Sequence, residues 1–182
     1  YKGILSFGGS YSNHIHALAF ACQQHNIACL GIIRGEPQYG NNATLSCALR
    51  WGMKLHFVDR KTYRLRHDEQ YLAQLQQQYP DHFIVPEGGS NALALTGVAE
   101  VIDELKQQTE FDTLLLPVGS GGTLAGLIDA DKNNHNLLGI AVLKQSLEKK
   151  DYLTNEINNL LPEQAKRFSN WQVLNDFHRG GY

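Results

Sequence analysis

Thr113-Leu114-Leu115-Leu116-Pro117-Val118-Gly119-Ser120-Gly121-Gly122-Thr123-Leu124 is the stretch from which the fold is read. Thr113–Pro117 is a short apolar run of the kind that buried parallel strands carry. A glycine-rich turn follows, and a helical pattern opens at about Leu124. A helix start presents N–H groups with no helical partner and the positive end of the helix dipole. Glycines let the backbone close on an anion without a Cβ in the way, and they supply positive φ where a turn needs it. Ser120 and Thr123 add hydroxyl donors. Gly119, Ser120, Gly121, Gly122 and Thr123 therefore read as a phosphate cradle. The competing reading is a tight turn that happens to be rich in glycine, although three glycines with two hydroxyls exceed what a turn requires.

Several phosphate-binding patterns are excluded at this turn. A Walker loop needs Gly-Lys-Ser/Thr, and no lysine is present. The dinucleotide pattern GxGxxG needs glycine at 124, where Leu124 stands, and it belongs at the first strand-to-helix turn rather than after four strands. The nucleophile elbow GxSxG is also absent.

Outward from this turn, short apolar runs alternate with helical stretches, which predicts an α/β fold with parallel sheets. Strands are predicted at Ile4–Phe7, Ala28–Ile33, Leu55–Val58, Phe83–Val85, Leu137–Val142 and Trp171–Leu174. Helices are predicted at Ser12–Asn26, Ala43–Trp51, Asp68–Tyr79, Ala92–Gln107 and Tyr152–Leu161, with a loop over Gly35–Gly40. The break between two lobes falls near Pro86–Ser90, giving a smaller lobe over residues 1–88 and part of a larger one over 89–182.

Two more strand-to-helix junctions carry unusual chemistry. Gly8-Gly9-Ser10-Tyr11-Ser12-Asn13-His14 follows the first strand. Ser12 can be a plain helix cap with Asn13 and His14 in the first turn. It can equally belong to a ligand site, because ligands of open parallel sheets gather at the carboxyl ends of strands. At Gly88-Gly89-Ser90-Asn91, a helix cap by Ser90 or Asn91 is the favoured reading.

The chain has 182 residues, 42% hydrophobic and 19% charged, as an ordered globular protein does. A net charge of −2, from 16 Lys+Arg against 18 Asp+Glu, supplies no basic stripe for nucleic acid or for an anionic membrane surface. The longest apolar run, around Ile27–Ile33, is far too short to span a bilayer, and no secretory signal opens the chain. Cys22, Cys29 and Cys47 read as reduced thiols of a cytoplasmic protein. Cys22 and His25 stand on one helix face, but no CxxC or HxxxH pair accompanies them, so no metal site is predicted.

Three segments together resemble the D-cysteine desulfhydrase and 1-aminocyclopropane-1-carboxylate deaminase family. Gly8–His14 is similar to its asparagine loop, Pro86–Leu93 to the PxGGSNxL segment joining its two domains, and Gly119–Gly126 to its phosphate loop. Their order and spacing also fit. The resemblance is weakest over Asp129–Asn136 and Leu143–Asn170. It implies a tryptophan-synthase-β-like fold of two α/β/α lobes and pyridoxal 5′-phosphate as cofactor. By the same resemblance Gly119–Thr123 would hold the cofactor phosphate, Asn13 would hydrogen-bond the 3′-oxygen of the pyridine ring, and Ser12 would face the substrate carboxylate and take part in catalysis. His14 would join Ser12 and Asn13 at the substrate, and Tyr182 would line the substrate pocket as a second catalytic group. The implied substrate is a small amino acid, and family members are commonly homodimers.

Two departures set the expectations apart. The family's Schiff-base lysine lies upstream of the strand matching Ile4–Phe7, and Lys2 is not at its position. The segment that follows Tyr182 in the family is absent from this sequence, so both ends read as cut and the fragment as inactive alone. D-cysteine β-elimination to pyruvate, ammonia and sulfide is the implied reaction. Ring opening of aminocyclopropane carboxylate is the alternative, and a non-catalytic phosphate-binding module or remnant is the alternative of a different class.

Overall fold

The computed structural model describes residues 1–38, 42–142 and 151–177. The chain forms two compact units, Tyr1–Gly89 and Ser90–Tyr182.

In the first unit, strands β1 (Gly3–Gly9), β2 (Ala28–Arg34), β3 (Lys54–Val58) and β4 (His82–Val85) form a parallel sheet in the order β3-β2-β1-β4. Helices α1 (Asn13–Gln24), α2 (Ala43–Arg50), α3 (Arg60–Tyr63) and α4 (Glu69–Gln78) connect the strands. The sheet carries a core on each face. Cys29 and Ile33 of β2 pack with Ile15, Ala19, Leu45 and Ala48 from α1 and α2. Leu30 and Ile32, at the alternate positions, pack with Leu5, Phe7, Tyr63 and Leu75. This two-sided burial is why β2 reads as an unbroken apolar run.

Each of these helices starts at a polar cap. The Ser12, Asn42, Asp59 and Asp68 side chains accept the backbone N–H three residues on, at 3.3, 3.0, 2.7 and 2.9 Å. Such caps satisfy one of the orphan donors at a helix start. The stretch Arg60–His67 is an additional finding: a single α turn followed by a 3₁₀ turn. Its short polar sequence has no apolar period to show in advance.

In the second unit, β5 (Thr113–Val118), β6 (Asn136–Ala141) and β7 (Trp171–Leu174) form a parallel sheet in the order β5-β6-β7. Helices α5 (Ala94–Gln108), α6 (Gly122–Asp131) and α7 (Tyr152–Leu160) contribute to one buried cluster with Val118, Leu137 and Ala141. Helix α6 is apolar on nearly every side, and Leu124, Ala125, Leu127 and Ile128 are all buried. It begins at Gly122, two residues ahead of the position read from the sequence. Among the described residues no helix is long and apolar enough to cross a membrane.

The far end of α6 is pinned by Asp131, which is fully buried. Its carboxylate accepts the backbone N–H of Asn134 at 2.8 Å and of His135 at 2.9 Å, the Asn170 amide at 3.0 Å, and a further bond from His135 Nδ1. Phe111 stacks on the His135 ring at a centroid distance of 4.3 Å.

Candidate active site

Strand β5 ends at Val118, and Gly119 to Gly121 turn the chain into α6. Gly121 is the N-cap, with φ +91°, in the left-handed region that side chains avoid. A Cβ on Gly121 would stand 2.8 Å from Ile157 Cγ1, and one on Gly122 would stand 2.6 Å from Ser90 Oγ. Both positions therefore have room for glycine alone. Around them the loop bounds a concavity lined by residues 117–124.

The cradle has the donors an anion needs. Ala125 N–H is bonded to Gly121 O at 2.9 Å and starts the helical ladder, so the N–H groups of residues 122–124 precede it. No acidic residue sits in the first turn of α6 to neutralise the dipole. Ser120 and Thr123 are exposed, and Thr123 stands inside the first helical turn.

Ser90 is a further residue of this loop. Its Oγ lies 2.6 Å from Ser120 Oγ. Asn91, not Ser90, makes the side-chain bond ahead of the next helix, with Oδ1 accepting from Ala94 N–H at 3.0 Å, while Leu93 is the N-cap and makes no side-chain cap bond. The two glycines before Ser90 are both left-handed, with φ +73° at Gly88 and +68° at Gly89. Sequence reading could separate the two neighbours only by knowing what lies opposite Ser90.

The asparagine loop belongs to the first unit. Ser12 caps α1 with a lone pair, which leaves its proton free to be donated. Asn13 is the first residue of α1 and is exposed. This helix, too, has no acidic residue in its first turn, so its start favours a carboxylate.

His14 is part-buried and braced. Its Nε2 is 2.7 Å from Ser6 Oγ, and Ser6 is also 2.9 Å from the Val85 carbonyl oxygen. A carbonyl only accepts, so Ser6 donates to Val85 and the His14 Nε2–H donates to Ser6. Burial holds the His14 pKa below the usual histidine value, against a smaller opposing pull from Glu87. A histidine kept neutral in the fold gains a proton first in the unfolded chain, near pH 6.5. Its contribution to stability is therefore present above that pH and lost as pH falls through the folded value. Urea unfolding at pH 7.5, 6 and 5 is expected to show a loss on the acid side that His14→Gln reduces. Equal pH slopes for the two proteins would contradict this.

Beside it, Glu87 accepts from Tyr63 Oη and from Arg66 Nε, both at 2.5 Å. Tyr63 is buried, and Arg66 lies over its ring at 5.1 Å. Burial first, then the Glu87 contact, pushes the Tyr63 hydroxyl far above its ordinary value, so it stays a donor. This brace was invisible in sequence because Tyr63 and Glu87 are 24 residues apart. Tyr182 lies outside the described residues. Among the described residues no group of His, Cys, Asp and Glu is placed to hold a metal ion.

The sequence profile of the family described as pyridoxal-phosphate dependent enzyme matches residues 2–156. The chain belongs to that family. A Pyrococcus horikoshii protein provisionally named a 1-aminocyclopropane-1-carboxylate deaminase is 21% identical over 173 residues, covering 90% of this chain and 50% of the relative. The D-cysteine desulfhydrase of Klebsiella pneumoniae is 24% identical, covering 98% of this chain and 58% of that one. The solved structure of an ACC deaminase homologue covers 100% of this chain and 57% of its own, with a TM-score of 0.73 at 22% identity. That likeness shows the fold. The chain spans about half the length of the curated relatives it matches. The family's cofactor is pyridoxal phosphate, and the close-fitting glycines at 121 and 122 with the open helix start are what a phosphate group requires.

Proposed function

We propose that the full-length protein is a pyridoxal-phosphate-dependent enzyme that removes sulfide and ammonia from a small amino acid, D-cysteine in the first instance. The observation that carries this reading is the α6 start, where Gly121 and Gly122 leave no space for a side chain and the residues of the turn and first helical turn line a concavity. Gly119, Ser120, Gly121, Gly122 and Thr123 hold the phosphate. Asn13 donates to the 3′-oxygen of the ring through its amide. Ser12 donates its free proton to the substrate carboxylate, which the α1 dipole also attracts. His14 keeps this first turn in place through Ser6 and offers its remaining edge to the substrate.

Bound there, the cofactor supplies an electron sink for the charge left when the substrate α-proton departs. D-cysteine then loses its β-thiol as sulfide and, with water, leaves pyruvate and ammonia. Ring opening of 1-aminocyclopropane-1-carboxylate to 2-oxobutanoate and ammonia is the second reading, favoured by the name of the Pyrococcus relative. Assay of the full-length protein on both compounds separates the two readings.

Asn13→Ala and His25→Ala test the asparagine loop together. Both positions are exposed, and His25 closes α1 at its opposite end. Loss of a hydrogen bond to the cofactor is expected to weaken pyridoxal phosphate roughly threefold to tenfold in Asn13→Ala, and His25→Ala is expected to bind as wild type. Equal losses in an equilibrium titration would overturn the role given to Asn13.

A further inference from the structure

We propose that Ser90 is a positioning residue for the cofactor phosphate, acting through Ser120. The inference rests on the reading of Gly119–Thr123 as the phosphate loop. The two hydroxyls stand 2.6 Å apart, so one donates to the other. Each hydroxyl has a single proton. An anion beside Ser120 draws the Ser120 proton towards itself, and Ser90 then donates to the oxygen that Ser120 leaves open. Such a chain polarises in one direction, and each bond strengthens the next.

Three local constraints fix Ser90 in advance. Gly88 and Gly89 turn left-handed before it, with φ +73° and +68°. Asn91, immediately after it, is tied to the first residue of α5 by its bond from Ala94 N–H. Its own backbone presses on the loop, and a Cβ added to Gly122 would come within 3.1 Å of Ser90 Cα. Ser120 alone is an exposed side chain free to rotate, and Ser90 selects one of its rotamers. The Gly88-Gly89-Ser90-Asn91 run thereby gains a role beyond the bond that Asn91 makes to Ala94 N–H.

The test is a double-mutant cycle on the full-length protein, read as the dissociation constants of pyridoxal phosphate and of pyridoxal, which lacks the phosphate. Ser90→Ala keeps the Cβ and removes only the hydroxyl. It is expected to weaken pyridoxal phosphate roughly threefold to tenfold and to leave pyridoxal unchanged. In a Ser120→Ala background the same change is expected to have no further effect, because interacting sites are not additive. The proposal is overturned if Ser90→Ala binds as wild type, if it weakens both ligands alike, or if its loss adds in full to that of Ser120→Ala. Should Ser90→Ala fail to fold, Ser90→Cys fills the same place with a weak donor and is read by the same criteria. A wild-type protein that binds no pyridoxal phosphate refutes the phosphate-loop reading itself, an outcome distinct from all of these.

Discussion

Gly121→Ala is expected to cripple cofactor binding. Holding a non-glycine residue at φ +91° costs about 1–2 kcal/mol. The new Cβ would also stand 2.8 Å from Ile157 Cγ1, in the buried cluster between α6 and α7. Overpacking of that kind costs about 1–3 kcal/mol. The loop can relieve both only by moving, and moving disperses the first-turn N–H groups to which the proposal assigns the phosphate. If the whole cost falls on binding, roughly 2–5 kcal/mol corresponds to a loss of about thirtyfold to a few thousandfold. Gly97→Ala is the matched control. Gly97 lies in the exposed face of α5, with nothing within 4 Å of an added Cβ. It should bind cofactor as wild type and gain about 0.5–1 kcal/mol in stability from helix propensity. Equal affinities for the Gly121 and Gly97 variants would contradict the account of the loop.

Asp131→Ala is expected to cost about 3–5 kcal/mol of stability, the size seen when one partner of a buried charged network is removed. Four donors lose their acceptor: two backbone N–H groups, the His135 ring and the Asn170 amide. Burial pushes the Asp131 carboxyl up, but the bonds from His135 and Asn134 outweigh it and hold the group below its ordinary value. The folded state thus binds its proton later than the unfolded chain does. The stability this supplies is present above about pH 4 and is lost as pH falls through the folded value. Urea unfolding at neutral pH measures the loss. A variant within about 0.5 kcal/mol of wild type, the range of ordinary surface changes, would show the network to be ornamental. The network stands the length of α6 away from the glycine-rich turn at its start, about 15 Å by helix rise. A stability loss with unchanged cofactor affinity at low temperature is therefore the expected pairing.

The strands were legible because a parallel strand buried on both faces must be apolar throughout. Trp171–Leu174 and Ala43–Arg50 fall within a residue of where periodicity placed them. The glycine-rich turn between β5 and α6 was legible for a different reason, since three glycines with two hydroxyls between a strand and a helix stand out from ordinary turns. Its exact helix start was not. Gly121 serves as a left-handed cap, and that conformation leaves no mark in the sequence beyond the glycine itself. The partners of the loop were harder still. Ser90 meets Ser120 across 30 residues, and Asp131 meets Asn170 across 39. Pairings at such separations depend on how the chain closes, and no local pattern encodes them. The turn at Arg60–His67 was missed because a single helical turn has no period.

The central claim is that the start of α6 holds the cofactor by its phosphate. A crystal structure of the full-length protein grown with pyridoxal phosphate tests it most directly. The account predicts phosphate oxygens accepting from Ser120 Oγ and from the backbone N–H groups of Gly121, Gly122 and Thr123. A cofactor bound elsewhere, with this loop empty, would contradict it.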